Sequence, residues 1–160
     1  MNRKMLFAAL LAAGLAAASF AAVSLAASGG KTPTATTIHL LEQETEPTSV
    51  PIGQHTGLMA GDEGVFTRSL FTMQKKPAGQ LNVACVATVG GPNFILVCTG
   101  VYTLAGGTLV GTTVARPSQG PNTLHIAVTG GTGRYEEARG SILSVGSNTG
   151  FANDTIHLLP

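Results

Sequence analysis

The sequence predicts an all-β domain, eight antiparallel strands closed into a barrel, preceded by a cleavable signal peptide. Three observations carry this reading. The chain begins with a charged, then apolar, then small-residue leader. Short strand-like stretches recur between strong turn signals. The word "TIHLL" occurs twice, at Thr37–Leu41 and at Thr155–Leu159.

The leader is MNRKMLFAALLAAGLAAASFAAVSLAA, residues 1–27. Arg3 and Lys4 supply a positive start, a Leu, Ala and Phe run follows, and Ser24-Leu25-Ala26 places small residues where a signal peptidase reads. Cleavage is expected near Ala26 or Ala27. The alternative is a retained membrane anchor, but the run is only about as long as the ~20-residue minimum for a span. It also ends in a cleavage-like stretch. No stable membrane anchor is therefore expected after cleavage, and the protein is read as secreted, to the medium or to a periplasm. No Cys lies near the cleavage region to make a lipoprotein.

Cutting after Ala26 leaves 134 residues, enough for one domain around one core. The nine basic residues lose Arg3 and Lys4, so seven stand against eight acidic ones, a net charge of −1. A nucleic-acid binder normally carries a basic patch, so nucleic acid is not expected as a partner. The remainder is rich in Gly, Thr, Val, Leu and Ala and lacks Trp, which suits strands joined by tight turns.

Residues 28–35, "SGGKTPTA", read as a flexible leader to a domain over 36–160. The first strand is expected at 36–43, with Ile38 and Leu40 on one face and His39 and Leu41 on the other. Residues 44–61 hold two Pro and three Gly and read as a long loop. Further strands are expected at 62–73, 80–89, 94–104, 107–115, 122–129, 139–146 and 150–159, divided by "KKPAG", "GGPN", "AGG", "RPSQGPN", "GGTGRYEEA" and "GSNTG". Eight short strands at this spacing indicate a sandwich or a barrel. The repeated word favours the barrel. Exposed sheet edges invite aggregation, and in a meander with an even strand count the first and last strands run antiparallel. Pairing the two "TIHLL" copies would remove both edges.

In "CVATVGGPNFILVC" a turn at Gly90-Gly91-Pro92-Asn93 joins two apolar runs. Folding this hairpin at its midpoint sets Val89 opposite Phe94 and Cys85 opposite Cys98. Opposed strand residues hold Cβ atoms ~4.5–5.5 Å apart, near disulfide spacing, and export permits the bridge. Two reduced, buried thiols are the alternative.

Two further blocks point to a family. "LHIAVTGGTGRYEEARG", residues 124–140, and "GDEGVFTRSLF", residues 61–71, together resemble the signature blocks of the allene oxide cyclase and dirigent protein superfamily, across roughly residues 36–159. The resemblance implies an eight-stranded antiparallel barrel with an apolar interior that cyclises oxylipins or steers phenoxy-radical coupling. It requires no cofactor. Trimers are common among plant members, which leaves a homotrimer open here. The glycines of "GGTG" also have a plain role, since Gly130, Gly131 and Gly133 can supply positive φ at a tight connection. The segment lacks the Lys-Ser/Thr of a phosphate loop. Arg139 is expected to pair with Glu136 or Glu137 at the barrel end.

The resemblance places the strand-one glutamate at Glu42, nine residues before Pro51. The chain departs from the pattern elsewhere: Glu44 and Arg68 replace asparagines, Val50 replaces a serine, and the strand-five tyrosine falls on Thr113 or Ala115. Glu42, Arg68 and Tyr102 are the expected catalytic polar groups, with Asp62 a further charge at the mouth. Phe66, Pro51 and Thr113 are the expected ligand-binding residues, and Cys85 with Cys98 the expected disulfide. His39 and His157 occupy equivalent places in the twin strands, either as outward histidines or as a facing pair. Such a pair could serve as metal ligands or a proton relay; the remaining histidines, His55 and His125, show no metal-ligand spacing, and no Gly-x-Ser-x-Gly elbow is present. The function this supports is a secreted barrel that binds a small apolar molecule and steers its cyclisation or coupling, a cofactor-free isomerase or cyclase if it is an enzyme. The alternative is a non-catalytic carrier or interaction barrel for a lipid-like or aromatic ligand.

Overall fold

Side chains alternate across each strand with period two, so one face of every strand can be apolar while the other meets water. The computed structural model describes residues 34–50, 56–116, 123–147 and 150–160, with the backbone alone for 44–50. The expected signal peptide, most of the 28–35 leader and Pro51 lie outside the described residues. Eight strands form: β1 (Thr36–Val50), β2 (Glu63–Phe71), β3 (Pro77–Val89), β4 (Ile95–Leu104), β5 (Gly107–Ala115), β6 (Thr123–Gly131), β7 (Gly140–Gly146) and β8 (Phe151–Leu158). They pair in chain order, all antiparallel, and close into a barrel.

The repeated word makes the closure. In the β1–β8 ladder Ile38 faces Ile156, Thr37 faces His157 and His39 faces Thr155. The two copies thus pair with each other about the isoleucines. On the outer face Thr155 Oγ1 lies 3.3 Å from His39 Nδ1, and Thr37 Oγ1 lies 3.4 Å from His157 Nδ1. Each exposed histidine therefore meets a threonine of the other copy, not the other histidine. Among the described residues no three His, Cys, Asp or Glu side chains gather as a metal site.

Three local readings need correction. The segment expected to be loop from residue 44 continues as strand to Val50, with a bulge between Glu44 and Glu46. Beyond Gln43 this strand pairs only with β2, so it runs as an edge, where a proline lacking an N–H is tolerated. The β3–β4 hairpin sets Cys85 opposite Cys98 as expected, but Val89 faces Ile95 rather than Phe94. A bulge at Thr88 absorbs the extra residue, and its Oγ1 donates to the Ile95 carbonyl at 3.2 Å. Of the "GGTG" glycines only Gly133 has positive φ, at 62°. Gly131 is needed for a different reason: a Cβ there would sit 2.4 Å from the Thr108 carbonyl oxygen.

The lumen has a solid half and a hollow half. At the end where β1 begins and β8 finishes, Leu70, Leu81, Leu109, Ile142 and Ile156 interdigitate as a plug. A 3₁₀ turn at Gly133–Tyr135 tucks Tyr135 beneath them. Arg139 forms no ion pair with Glu136 or Glu137; its carbonyl instead accepts from the Leu159 N–H at 2.8 Å. The "GGTGRYEEARG" block is therefore the barrel's end cap.

Candidate functional site

Above the plug lies a cavity of about 190 Å³. Its walls come from all eight strands, and their lumen-facing positions explain why space is left. Gly100 on β4 and Gly111 on β5 are paired in the ladder and both line the cavity. Bare backbone there replaces two side chains. A Cβ at Gly111 would approach Ile126 Cγ2 to 2.7 Å, and one at Gly100 would meet Leu81 Cδ1 at 3.2 Å. Phe66, Val83, Leu124, Ile126 and Cys98 supply apolar wall.

The Cys98 sulfur is bonded to Cys85, and both residues are buried. The bridge thus lies on the inner side of the β3–β4 hairpin. Cross-linking so short a loop adds roughly 3 kcal/mol by restricting the unfolded chain.

Glu42, Arg68 and Tyr102 all line this one cavity, as do Phe66 and Thr113. Glu42, on β1, is 6% exposed. Its Oε1 accepts from Arg68 Nη1 at 3.4 Å and from Ser144 Oγ on β7 at 3.2 Å. The Arg68 guanidinium also lies 5.1 Å from the centre of the Phe66 ring, within cation–π range. Thr113 Oγ1 donates to the His125 carbonyl at 2.8 Å, so this hydroxyl braces the β5–β6 end of the wall. Asp62 does not line the cavity. It is buried at the β1–β2 connection, where Oδ2 accepts from the Met59 N–H at 2.8 Å.

The cavity floor is a strut that the sequence reading missed. Tyr102 Oη on β4 donates to Asp154 Oδ2 on β8 at 3.0 Å, across the lumen, and both residues are 1% exposed. Asp154 Oδ1 has no hydrogen-bond partner among the described residues. Burial pushes the Asp154 carboxyl above its ordinary value; the hydroxyls of Ser144 and Tyr102 and the Arg68 charge oppose this. The Tyr102 hydroxyl is likewise pushed up, first by burial and then by the charges of Asp154 and Glu42. The signal for Asp154 was present in "FANDTIHLLP". Ala152, Asp154, Ile156 and Leu158 share one strand face and are all buried, so an acid stands on an apolar parity. Ser144 follows Ile142 inward in the same way.

Chemically, the site offers an apolar pocket with a carboxylate–guanidinium pair on one wall and a phenol–carboxyl pair at its floor. It resembles in size a cavity of about 150 Å³ that stays dry and takes benzene, and falls below the ~300–1,000 Å³ of drug-sized pockets.

The chain matches no protein-family model and no curated protein. Among solved structures it is similar to pyocyanin demethylase, with a TM-score of 0.67 and 24% identity over 78% of this chain and 100% of that one. It is similar to the Diels-Alderase AbmU from Streptomyces koyangensis, with a TM-score of 0.60 and 12% identity over 78% of this chain and 63% of that one. A nonspecific heme-binding cyclase, which catalyses a 4 + 2 cycloaddition during neoabyssomicin biosynthesis, gives a TM-score of 0.61 and 12% identity over 78% and 64%. At these identities the likeness is one of fold: this chain shares the architecture of small barrel proteins whose names include cyclases.

Proposed function

We propose that this protein is an exported barrel, released from a signal peptide over residues 1–27, that takes a small, largely apolar molecule into its lumen and steers that molecule's cyclisation or coupling. The observation that carries the proposal is the hollow half of the lumen. A barrel of this strand count can be filled by side chains, yet here a paired glycine strip leaves space beside buried polar groups. The disulfide accords with an oxidising compartment. Among the described residues no helix is long and apolar enough to cross a membrane. The motifs at 61–71 and 124–140 that resemble allene oxide cyclases and dirigent proteins support the same reading. So do the names of two barrels it resembles, a Diels-Alderase and a heme-binding cyclase.

Steering requires only that the walls fold the reactant and that fixed polar groups meet charge as it develops. Glu42, Arg68 and Tyr102 serve as those polar groups, and Phe66 and Thr113 shape the wall. Pro51 is assigned to ligand binding from the resemblance alone. A carrier is the second reading. Its support is that Glu42 is already engaged by Arg68 and Ser144, leaving less of it for a reactant.

The test begins with thermal melting of the mature protein against a panel of one- and two-ring aromatics and enones. A ligand that binds only the folded state raises the melting temperature by an amount that grows with the logarithm of its concentration over Kd. Variants that fill the lumen, Val83→Phe and Gly100→Val, should lose the response. Ligands that pass are then allowed to react with and without protein. A changed stereoisomer ratio supports steering, an unchanged ratio with retained binding supports the carrier, and no response anywhere in the panel refutes both.

A further inference from the structure

The floor strut carries an inference about what the cavity reads. Tyr102 lines the cavity, while Asp154 stands behind it, buried, with Oδ2 joined to the phenol and Oδ1 unpartnered among the described residues. The charged or titratable groups facing Asp154 are Glu42 from β1, Arg68 from β2 and Tyr102 from β4; its ladder neighbours Leu40 and Ser144 do not titrate.

Counting protons shows why the pair matters. A phenol and a carboxylic acid hold two O–H groups, and the bond between them uses one. When the acid donates to the phenol oxygen, the phenol O–H is released into the cavity. When the carboxyl is ionised, it takes the phenol O–H, and Tyr102 offers the cavity only lone pairs. In the structure the phenol donates to Oδ2; burial raises the Asp154 carboxyl above its ordinary value and so widens the pH range over which the first arrangement forms. The rest of the lining is apolar wall apart from Thr113, Ser144 and the Glu42–Arg68 pair, with the bare Gly100–Gly111 strip next to Tyr102. A flat ring lies against such a strip without displacing a side chain.

We propose that Tyr102, positioned by Asp154, is a hydrogen-bond donor for a carbonyl oxygen, so that the molecule this cavity takes is a compact, flat, conjugated ketone or quinone. This rests on the ligand-binding reading above and specifies it. Tyr102 touches the ligand; Asp154 acts through Tyr102 as a positioning residue.

The probes are 1-indanone, labelled with carbon-13 at its carbonyl, and indane, its hydrocarbon counterpart. Binding is measured by calorimetry and the carbonyl stretch by infrared difference spectroscopy, from about pH 5 to about pH 9. Both probes are expected to bind. The bound indanone carbonyl should absorb at lower wavenumber than in hexane at acidic pH and lose that displacement as pH rises and Asp154 ionises. Tyr102→Phe should abolish the displacement at every pH. Asp154→Asn, whose amide donates to the phenol but does not titrate, should keep it at every pH. If neither probe binds, the cavity reading fails and this inference falls with it. If both bind but the carbonyl is undisplaced, or equally displaced in Tyr102→Phe, the donor assignment is overturned while the cavity reading stands. Should Tyr102→Phe fail to fold, the comparison of Asp154→Asn with wild type decides alone: identical pH profiles overturn the proposal.

Discussion

At Asp154 the barrel holds an ionisable group where an aliphatic side chain would pack, and stability should record this as a dependence on pH. In the unfolded chain the carboxyl titrates near its ordinary 3.8, and in the folded protein it titrates higher. Below the lower value both states are protonated and the group contributes nothing against folding. Between the two values the unfolded chain has released a proton that the folded chain retains, so stability falls as pH rises and levels off above the folded value. Asp154→Asn removes that fall. Chemical denaturation should show the variant gaining stability relative to wild type as pH rises from below 3.8 toward neutrality. A variant that gains none over that range would mean that the carboxylate is well solvated or paired there. The residue scale is also where sequence reading was least complete. Glu42, Arg68 and Tyr102 were identified and line one cavity. Asp154 and Ser144 were not, because an Asp or a Ser in a strand is read first as solvent-facing. Only the parity shared with Ala152 and Ile156 marks Asp154 as inward.

Among the elements, the β3–β4 hairpin and the β4–β5 glycine pair give separate predictions. Reducing the Cys85–Cys98 bridge should lower stability by about 3 kcal/mol, with a mass gain of two hydrogens. An unchanged melting temperature on full reduction would show that packing, not the cross-link, holds the hairpin. The two glycines should differ when each is replaced by alanine. At Gly111 the new methyl meets Ile126 Cγ2 at 2.7 Å, on a stiff β-branched side chain, and overpacking costs about 1–3 kcal/mol. At Gly100 it meets the mobile end of Leu81 at 3.2 Å, and the lower entropy of the unfolded chain offsets that by about 0.4–1 kcal/mol. Urea unfolding should therefore rank Gly111→Ala clearly below Gly100→Ala; the reverse order would contradict the described wall. Strand positions and the disulfide register were legible because turn residues and cysteines act locally. The extension of β1 to Val50 was not, because pairing with β2 overrides what two prolines suggest. The bulge at Thr88 was missed for the related reason that a hairpin midpoint assumes an unbroken ladder.

For the whole molecule the decisive features are closure and incomplete filling. Closure was legible: two copies of one word, placed at the two ends of the domain, meet as neighbouring strands. Incomplete filling was not, since composition alone does not reveal that Gly100 and Gly111 face inward and pair. Both depend on register, and a one-residue slip would turn the glycines outward and the exposed valines in. The central claim is that the hollow half of the barrel, rather than its outer surface, receives a small apolar molecule. Intermolecular nuclear Overhauser effects between bound indane and the protein's methyl groups test this most directly. The account predicts cross-peaks from Val83, Leu124 and Ile126 in the cavity wall and none from Val86, Val97 and Val114 outside. Cross-peaks confined to those outer valines, or no cross-peaks at saturating indane, would contradict it.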